Sequence, residues 1–233
     1  MAARVPPSRR APASSRSKRD DIIAVATELF GRQGYEHSKW ADVAKEVGVG
    51  STALYHYFES KLHCLYVIQA EAVQADREKF DRVLAEHDDF EEALRAILNA
   101  AFDLTELEVL RNRVLVAEQS LVGLHRTSQR EEEARQLARA RMRDIEFAWA
   151  TFLTRGMEQG VIPEGDPRLV ARAVLGLYNS VWHWYRPRGN LSLDEVRDFY
   201  VDRCLAVAGL PAVAPAPAKG SAPAQGRPAR KAA

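Results

Sequence analysis

The chain has 233 residues, of which 46% are apolar and 28% charged, the balance of an ordinary soluble globular protein with room for one core or two smaller ones. No apolar run approaches the ~18 residues that a membrane span needs, and the N-terminus lacks the apolar block of a signal peptide, so a cytoplasmic protein with no membrane partner is expected. The net charge of +1 hides an asymmetry, because residues 1–62 carry +3, residues 63–210 carry −6 and the remainder carries +4. Such a distribution suits a protein that meets a polyanion at one end only.

Residues 1–18 hold Arg4, Arg9, Arg10, Arg16 and Lys18 with three prolines and four serines and almost nothing to bury, which predicts a disordered basic arm. The first helix is expected from Lys18 to Gln33, where Ile22, Ile23, Ala26, Leu29 and Phe30 recur at three- and four-residue spacing. Gly34 is placed to stop it, and Ser38 to cap the next helix. That second helix, Lys39 to Val47, turns Trp40, Val43, Ala44 and Val47 to one side and Asp42, Lys45 and Glu46 to the other.

Gly48 supplies the positive φ needed for an abrupt exit, and Val49 and Gly50 lead into a third helix, Ser51 to Tyr57. Two short helices across a glycine-pinned turn carry the helix-turn-helix signature. Seven residues give a helix of roughly 10 Å, which matches the width of a DNA major groove. Leu54 and Phe58 should anchor it, leaving Ser51, Thr52, Ala53, Tyr55, His56 and Tyr57 on the outer arc, with hydroxyls and polar ring tips suited to phosphates and base edges. Ser60 is the expected cap of a fourth helix that begins at Lys61.

Residues 19–66 resemble the N-terminal domain of the TetR family of bacterial transcriptional regulators. The resemblance is carried by ATELFGRQGY, by DVAKEVGVG and above all by LYHYFESK at Leu54–Lys61, which follows the family pattern Leu-Tyr-x-Tyr/His-Phe-x-x-Lys. It implies DNA-backbone contact by Ser38, Tyr57 and Lys61, and groove-facing roles for Ser51, Thr52, Ala53, Tyr55 and His56. The chain departs from the pattern at Lys39 and Trp40, where the family commonly has Thr and Val. Lys39 is expected to add a phosphate contact, and Trp40 to pack beneath the third helix.

The fourth helix runs on to about Ala85 as a connector. Another opens at Asp88-Asp89 and carries Phe90, Ala93, Leu94, Ile97, Leu98, Ala101 and Phe102, and a further apolar run spans Leu107–Leu121. A long amphipathic helix follows from Ser128 to Gln159, its early stretch RTSQREEEARQLARAR read as a solvated face. Asp166 and Pro167 start the next helix, to Tyr185, and the last spans Ser192 to Ala208. These two form a hairpin that, by the resemblance, makes a homodimer interface, with Val174, Leu177, Val181, Trp184, Val196 and Tyr200 as its candidate residues. From Pro211 onward Ala, Pro, Gly and basic residues predict a disordered tail.

The fold expected is therefore all-α, with residues 19–62 reading DNA and residues 63–210 binding an effector and dimerising. Six histidines show no metal-ligand spacing, Cys64 and Cys204 stand apart as buried thiols, and no nucleotide loop or catalytic constellation is present in the sequence. Neither cofactor, metal nor enzymatic activity is expected. The partners expected are pseudo-palindromic double-stranded DNA, a second copy of the chain and a small hydrophobic effector. Phe102, Leu121, Trp149 and Phe152 are the candidate walls of its pocket. WHWYRPRGNLSLDEV is similar to the corresponding stretch of TetR-type regulators of fatty-acid and steroid catabolism, which implies an acyl-CoA thioester. A repressor released by that effector is the reading. A constitutive DNA-binding protein, or a helical small-molecule-binding domain, would share many of these features.

Overall fold

The structure, a computed structural model, describes residues 17–211. The basic arm, apart from its last two residues, and all of the basic tail but Pro211 lie outside the described residues. Between them run α1 (Lys18–Gln33), α2 (Trp40–Val47), α3 (Ser51–Tyr57), α4 (Lys61–Glu86), α5 (Phe90–Phe102), α6 (Glu106–Ala117), a short 3-10 turn (Gln119–Gly123), α7 (Gln129–Glu158), α8 (Pro167–Trp184) and α9 (Leu193–Ala208). No strand occurs among the described residues. None of these helices is long and apolar enough to cross a membrane.

Most of the starts are written as side-chain caps. Ser17, Ser60, Asp89, Thr105, Ser128, Asp166 and Ser192 each accept a backbone N–H from the first turn of the helix that follows. Thr105 and Ser192 extend this into full capping boxes with Glu108 and Glu195. The Leu107–Leu121 run is not one helix, because α6 ends at Ala117 and the chain tightens into the 3-10 turn.

The apolar side chains sort into three clusters. Ile22, Phe30, Tyr35, Val43, Leu54 and Phe58 close a head formed by α1–α3 and the start of α4, with Val114 of α6 inserted into it. Phe80, Phe90, Phe102, Trp149, Phe152 and Trp182 belong to a larger core in the body. A small third cluster joins Tyr66 and Ala70 of α4 to Val122, Ala134 and Ala138. The 26-residue α4, about 39 Å long, supplies residues to all three.

The start of α7 differs from a fully solvated face. Ala134, Arg135 and Ala138 point inward and Leu137 outward. Arg135 is buried because its guanidinium donates to Glu132 at 2.7 Å and to the Val122 carbonyl at 2.8 Å, so its charge and its donors are matched inside the protein.

Candidate DNA interface and effector cavity

The turn between α2 and α3 depends on glycine at Gly48 alone, since Gly50 has the extended backbone that any residue adopts. Gly48 sits at φ 71° and ψ 38°, its N–H bonded to the Lys45 carbonyl while Val49 N–H reaches Ala44. This Schellman arrangement ends α2 within one residue. Gly50 then takes the cap position of α3 with no side-chain hydrogen bond. Leu54 and Phe58 are buried, and Phe58 meets the half-buried Trp40 edge to face at 6.3 Å, so Trp40 packs beneath α3 as expected.

With those anchors inward, Ser51, Thr52, Tyr55, His56 and Tyr57 are exposed on one short helix, and Lys39 is exposed at the cap of α2. Ala53 is half-buried and offers only part of its methyl group to a groove.

Two expected DNA contacts are engaged within the protein. Ser38 is not the cap of α2; it is buried in the turn after α1, where its hydroxyl donates to the Gly34 carbonyl at 2.8 Å. Lys61 directs its ammonium at the same turn, donating to the carbonyls of Tyr35 at 2.6 Å and Ser38 at 3.0 Å and lying 4.1 Å over the Tyr35 ring. The reason is local: the α1–α2 connection leaves carbonyls without helical partners, and a three-donor cation satisfies two of them at once.

The far end of α3 is held by the body. Ser60, the cap of α4, donates to Glu131, and Ser128, the cap of α7, donates to Glu59. Arg130 adds a hydrogen bond to the Tyr57 carbonyl at 3.2 Å. Each cap serine thus gives its proton to a carboxylate beside the other cap, while its oxygen still accepts its own helix's N–H. Nothing in the spacing of these residues advertises the exchange.

A cavity of about 630 Å³ lies in the body, lined from α4, α5, α6, α7 and α8. Its apolar walls include Val73, Phe80, Ile97, Leu98, Ile145 and Trp149. The solvent-exposed lining residues Gln119, Glu146, Arg172, Gly176 and His183 mark where it opens. Of the four wall residues expected from sequence, only Trp149 lines it.

Phe102 is packed behind the wall against Tyr178 and Trp182. Phe152 is stacked on Phe90 at 4.7 Å, and Leu121 sits in the 3-10 turn beside the head and junction clusters. Large aromatics filled the core instead, because they bury the most area there. None of the polar lining residues was expected, among them Asp76, Asn112 and Tyr178. Asn112, a polar residue inside an apolar run, was the available signal.

Burial pushes the Asp76 carboxyl above the usual carboxylate range, against the lowering pull of Arg111 and Lys79. Burial likewise drives the Tyr178 hydroxyl far up. A second concavity of about 580 Å³ lies on the surface between α1, α2 and α6, edged by Asp21, Glu28, Glu46 and Glu106. It is a shallow charged groove that lacks apolar enclosure and suits an effector less well.

The hairpin α8–α9 corrects half of the expected interface. Val174, Val181 and Val196 are buried in the protomer's own core, Leu177 and Tyr200 are half-buried, and Trp184 is exposed. The outward apolar set is Leu169 and Trp184 on α8 and Phe199 and Val207 on α9. A spacing of three and four places apolar residues on both faces of a helix, and only packing decides which face turns inward.

Comparison with known proteins places this architecture. The family model described as "Bacterial regulatory proteins, tetR family" matches residues 22–65, and the "Tetracyclin repressor-like, C-terminal domain" model matches residues 109–208. The TetR family transcriptional regulator PfmR from Thermus thermophilus is 32% identical, covering 82% of this chain and 98% of that one, with a TM-score of 0.65. The repressor KstR2 of Mycolicibacterium smegmatis is 23% identical over 194 residues, 82% of this chain and 90% of that protein. AibR, solved with isovaleryl coenzyme A and operator DNA, is 22% identical with a TM-score of 0.66, covering 80% of this chain and 97% of that one. With its helix-turn-helix head, its helical body and these matches, the chain belongs to the TetR family of bacterial transcriptional regulators and is a DNA-binding protein.

Proposed function

We propose that the chain is a homodimeric repressor that holds a pseudo-palindromic operator with one α3 from each protomer and releases it when a coenzyme A thioester fills the body cavity. Residues 19–62 read the DNA. Ser51, Thr52, Tyr55 and His56 face the base edges, while Lys39 and Tyr57 meet phosphates. Residues 63–210 bind the effector and dimerise, and the reading assigns no catalytic step to this chain.

The observation that carries the reading is that the cavity shares its walls with the head's supports. α4 and α6 both line the cavity, and both also pack into the head cluster, through Leu65 and Ile68 on one side and Val114 on the other. An effector that fits one arrangement of these helices better than another therefore shifts the orientation of the head by that difference in affinity. In a two-fold dimer the two recognition helices must stand about 34–36 Å apart to enter successive major grooves, so a small rotation of each head suffices to break the match. The apolar lining suits an acyl chain inside, and a carrier outside would meet an opening that holds His183 and Arg172, the latter 3.9 Å from Glu146. The AibR complex with isovaleryl coenzyme A and operator DNA supports this choice of ligand class.

The test is selection of bound DNA from a random pool with the full chain, followed by gel shifts on the selected fragment with a series of acyl-CoAs. A palindromic fragment released by at least one thioester is expected. Failure to enrich any sequence would remove the repressor reading, and enrichment without release by any thioester would remove the effector.

A further inference from the structure

The cavity has a polar corner in which two acceptors lack a hydrogen-bond donor, while two buried donors, Nε of Arg111 beside it and Nε1 of Trp182 in the wall, lack an acceptor. Asp76 lines the cavity and retains a third of its side-chain surface, yet no group among the described residues donates a hydrogen bond to its carboxylate. The nearest cation, Arg111, stands 3.8 Å away and is shared with Glu108 at 3.9 Å. Lys79, one turn along α4, spends its ammonium on the carbonyls of Ala100 and Asp103 at the end of α5.

Asn112, in the same wall, has the same deficit. The Tyr178 hydroxyl has one proton, and it goes to the Ala101 carbonyl at 3.0 Å, in the last turn of α5 where carbonyls lack helical partners. Tyr178 can therefore only accept from Asn112, at 3.2 Å, which fixes the amide with its NH2 group toward the ring hydroxyl. Asn112 Oδ1 is then an acceptor, buried and without a donor.

Two unserved acceptors in one wall of a mostly apolar cavity, Asp76 on its accessible surface and the buried Asn112 Oδ1, make it a site with a chemical demand. The buried Asn112 Oδ1 costs the fold stability while it is unpaired, and Asp76 joins it in that state once a ligand displaces water from the cavity, unless the ligand donates to it. We propose that the effector carries a hydroxyl group on its apolar skeleton, and that Asp76 is the residue that selects for it by accepting that hydrogen bond. The inference rests on the reading of this cavity as the effector site.

A neutral hydroxyl fits better than an ammonium. The charge of Asp76 is already offset by Lys79 and Arg111, so what the carboxylate lacks is a donor and not a counter-charge. Burial holds its carboxyl up, against the pull of Arg111 and Lys79. A site built around such an acceptor discriminates against an analogue lacking the hydroxyl, because the analogue leaves the acceptor buried and unpaired.

The test is calorimetric titration of the full chain with two pairs of probes: dodecanoyl-CoA against ω-hydroxydodecanoyl-CoA, and dodecanoic acid against ω-hydroxydodecanoic acid. The wild-type chain is expected to bind the hydroxylated thioester about tenfold or more tightly than its partner, and Asp76→Leu to close that gap while still binding dodecanoyl-CoA. The wild-type comparison stands without any variant, and Asp76→Asn, which preserves shape, is expected to narrow the gap partially. Equal affinities within the wild-type thioester pair, or a gap that survives in Asp76→Leu, would overturn the hydroxyl proposal and leave the thioester reading in place. A preference seen only between the free acids, with neither thioester bound, would support the hydroxyl proposal and remove the thioester. Binding of none of the four would overturn both.

Discussion

Gly31 of α1 lies so close to Leu110 of α6 that a Cβ on the glycine would stand 2.7 Å from the Leu110 Cβ, with the Leu110 carbonyl oxygen and Cα at 3.0 and 3.1 Å. This is where the head rests on the body. Beside it Arg32 donates to Glu106 at 2.8 Å, and Arg188 reaches the same carboxylate at 3.3 Å. Gly31→Ala should gain about 1 kcal/mol of helix propensity. Here backbone atoms stand in the way, and overpacking of this kind costs about 1–3 kcal/mol, so the contact decides the sign. A fall in melting temperature of several degrees is expected by calorimetry, together with altered operator affinity, because the head must shift off α6.

Two lysines of the head, Lys39 and Lys61, should separate cleanly. Lys39→Ala removes one phosphate contact from each protomer of the dimer and is expected to flatten the dependence of log Kd on log salt by about 1.8. Lys61→Met should leave that slope unchanged and lower the melting temperature instead. Its two charge-assisted bonds to the Tyr35 and Ser38 carbonyls are worth about 1.5–3 kcal/mol together. Anisotropy titrations at several salt concentrations, set beside thermal melts, check both.

His63 ties stability to pH. Its Nδ1 accepts the Glu59 N–H at 3.2 Å, so the ring must be neutral there. Burial first, then the Arg130 guanidinium, holds its pKa below the usual histidine value, against the opposing pull of Glu59 and Glu131. A depressed folded-state pKa means that the unfolded chain takes up the proton first. The contribution is complete above the ordinary histidine pKa and is lost as pH falls below it and through the folded value. The melting temperature of the wild-type chain should therefore drop between pH 7.5 and pH 5.5 more steeply than that of His63→Gln, whose amide oxygen can accept the same N–H at any pH.

The outward face of the hairpin predicts the oligomer. Trp184 and Phe199 are about half exposed, at 44% and 53%, while Val174 and Val181 are fully buried. Trp184→Glu combined with Phe199→Glu should yield folded monomers in sedimentation experiments and weaken operator binding by orders of magnitude, since one head alone must then hold the DNA. Val174→Ala, by contrast, should destabilise the protomer by about 1–3 kcal/mol through its own core and leave the association constant unchanged.

Gly156 of α7 gives a further check on the body. A Cβ there would lie 2.3 Å from the tip of the Phe90 ring, and that ring is stacked on Phe152 at 4.7 Å and cannot retreat. Gly156→Ala should cost about 3 kcal/mol, read as a loss of roughly 6–12 °C in melting temperature.

Most of the head was legible, because most of its signals are local. Gly48 must carry a positive φ, Ser60 caps the helix it precedes, and Leu54 and Phe58 lie four apart on a helix too short to leave doubt about its inner face. The all-α class and the starts at Asp89, Ser128, Asp166 and Ser192 follow from the same chemistry, since a cap and the N–H it serves are within three residues of each other.

What depended on distant partners was not legible. The cavity wall took Asp76, Asn112 and Tyr178 from three helices, and of the aromatic residues expected there Phe102 and Phe152 went to fill the core. Lys61 and Ser38 were drawn inward by carbonyls of the turn after α1, and the cap serines of α4 and α7 donate hydrogen bonds to carboxylates beside each other across about seventy residues of chain. Periodicity shows that a helix has an apolar side. Which of two apolar sides turns inward, and which polar group finds a partner, is settled only when the helices pack and every buried donor and acceptor is counted.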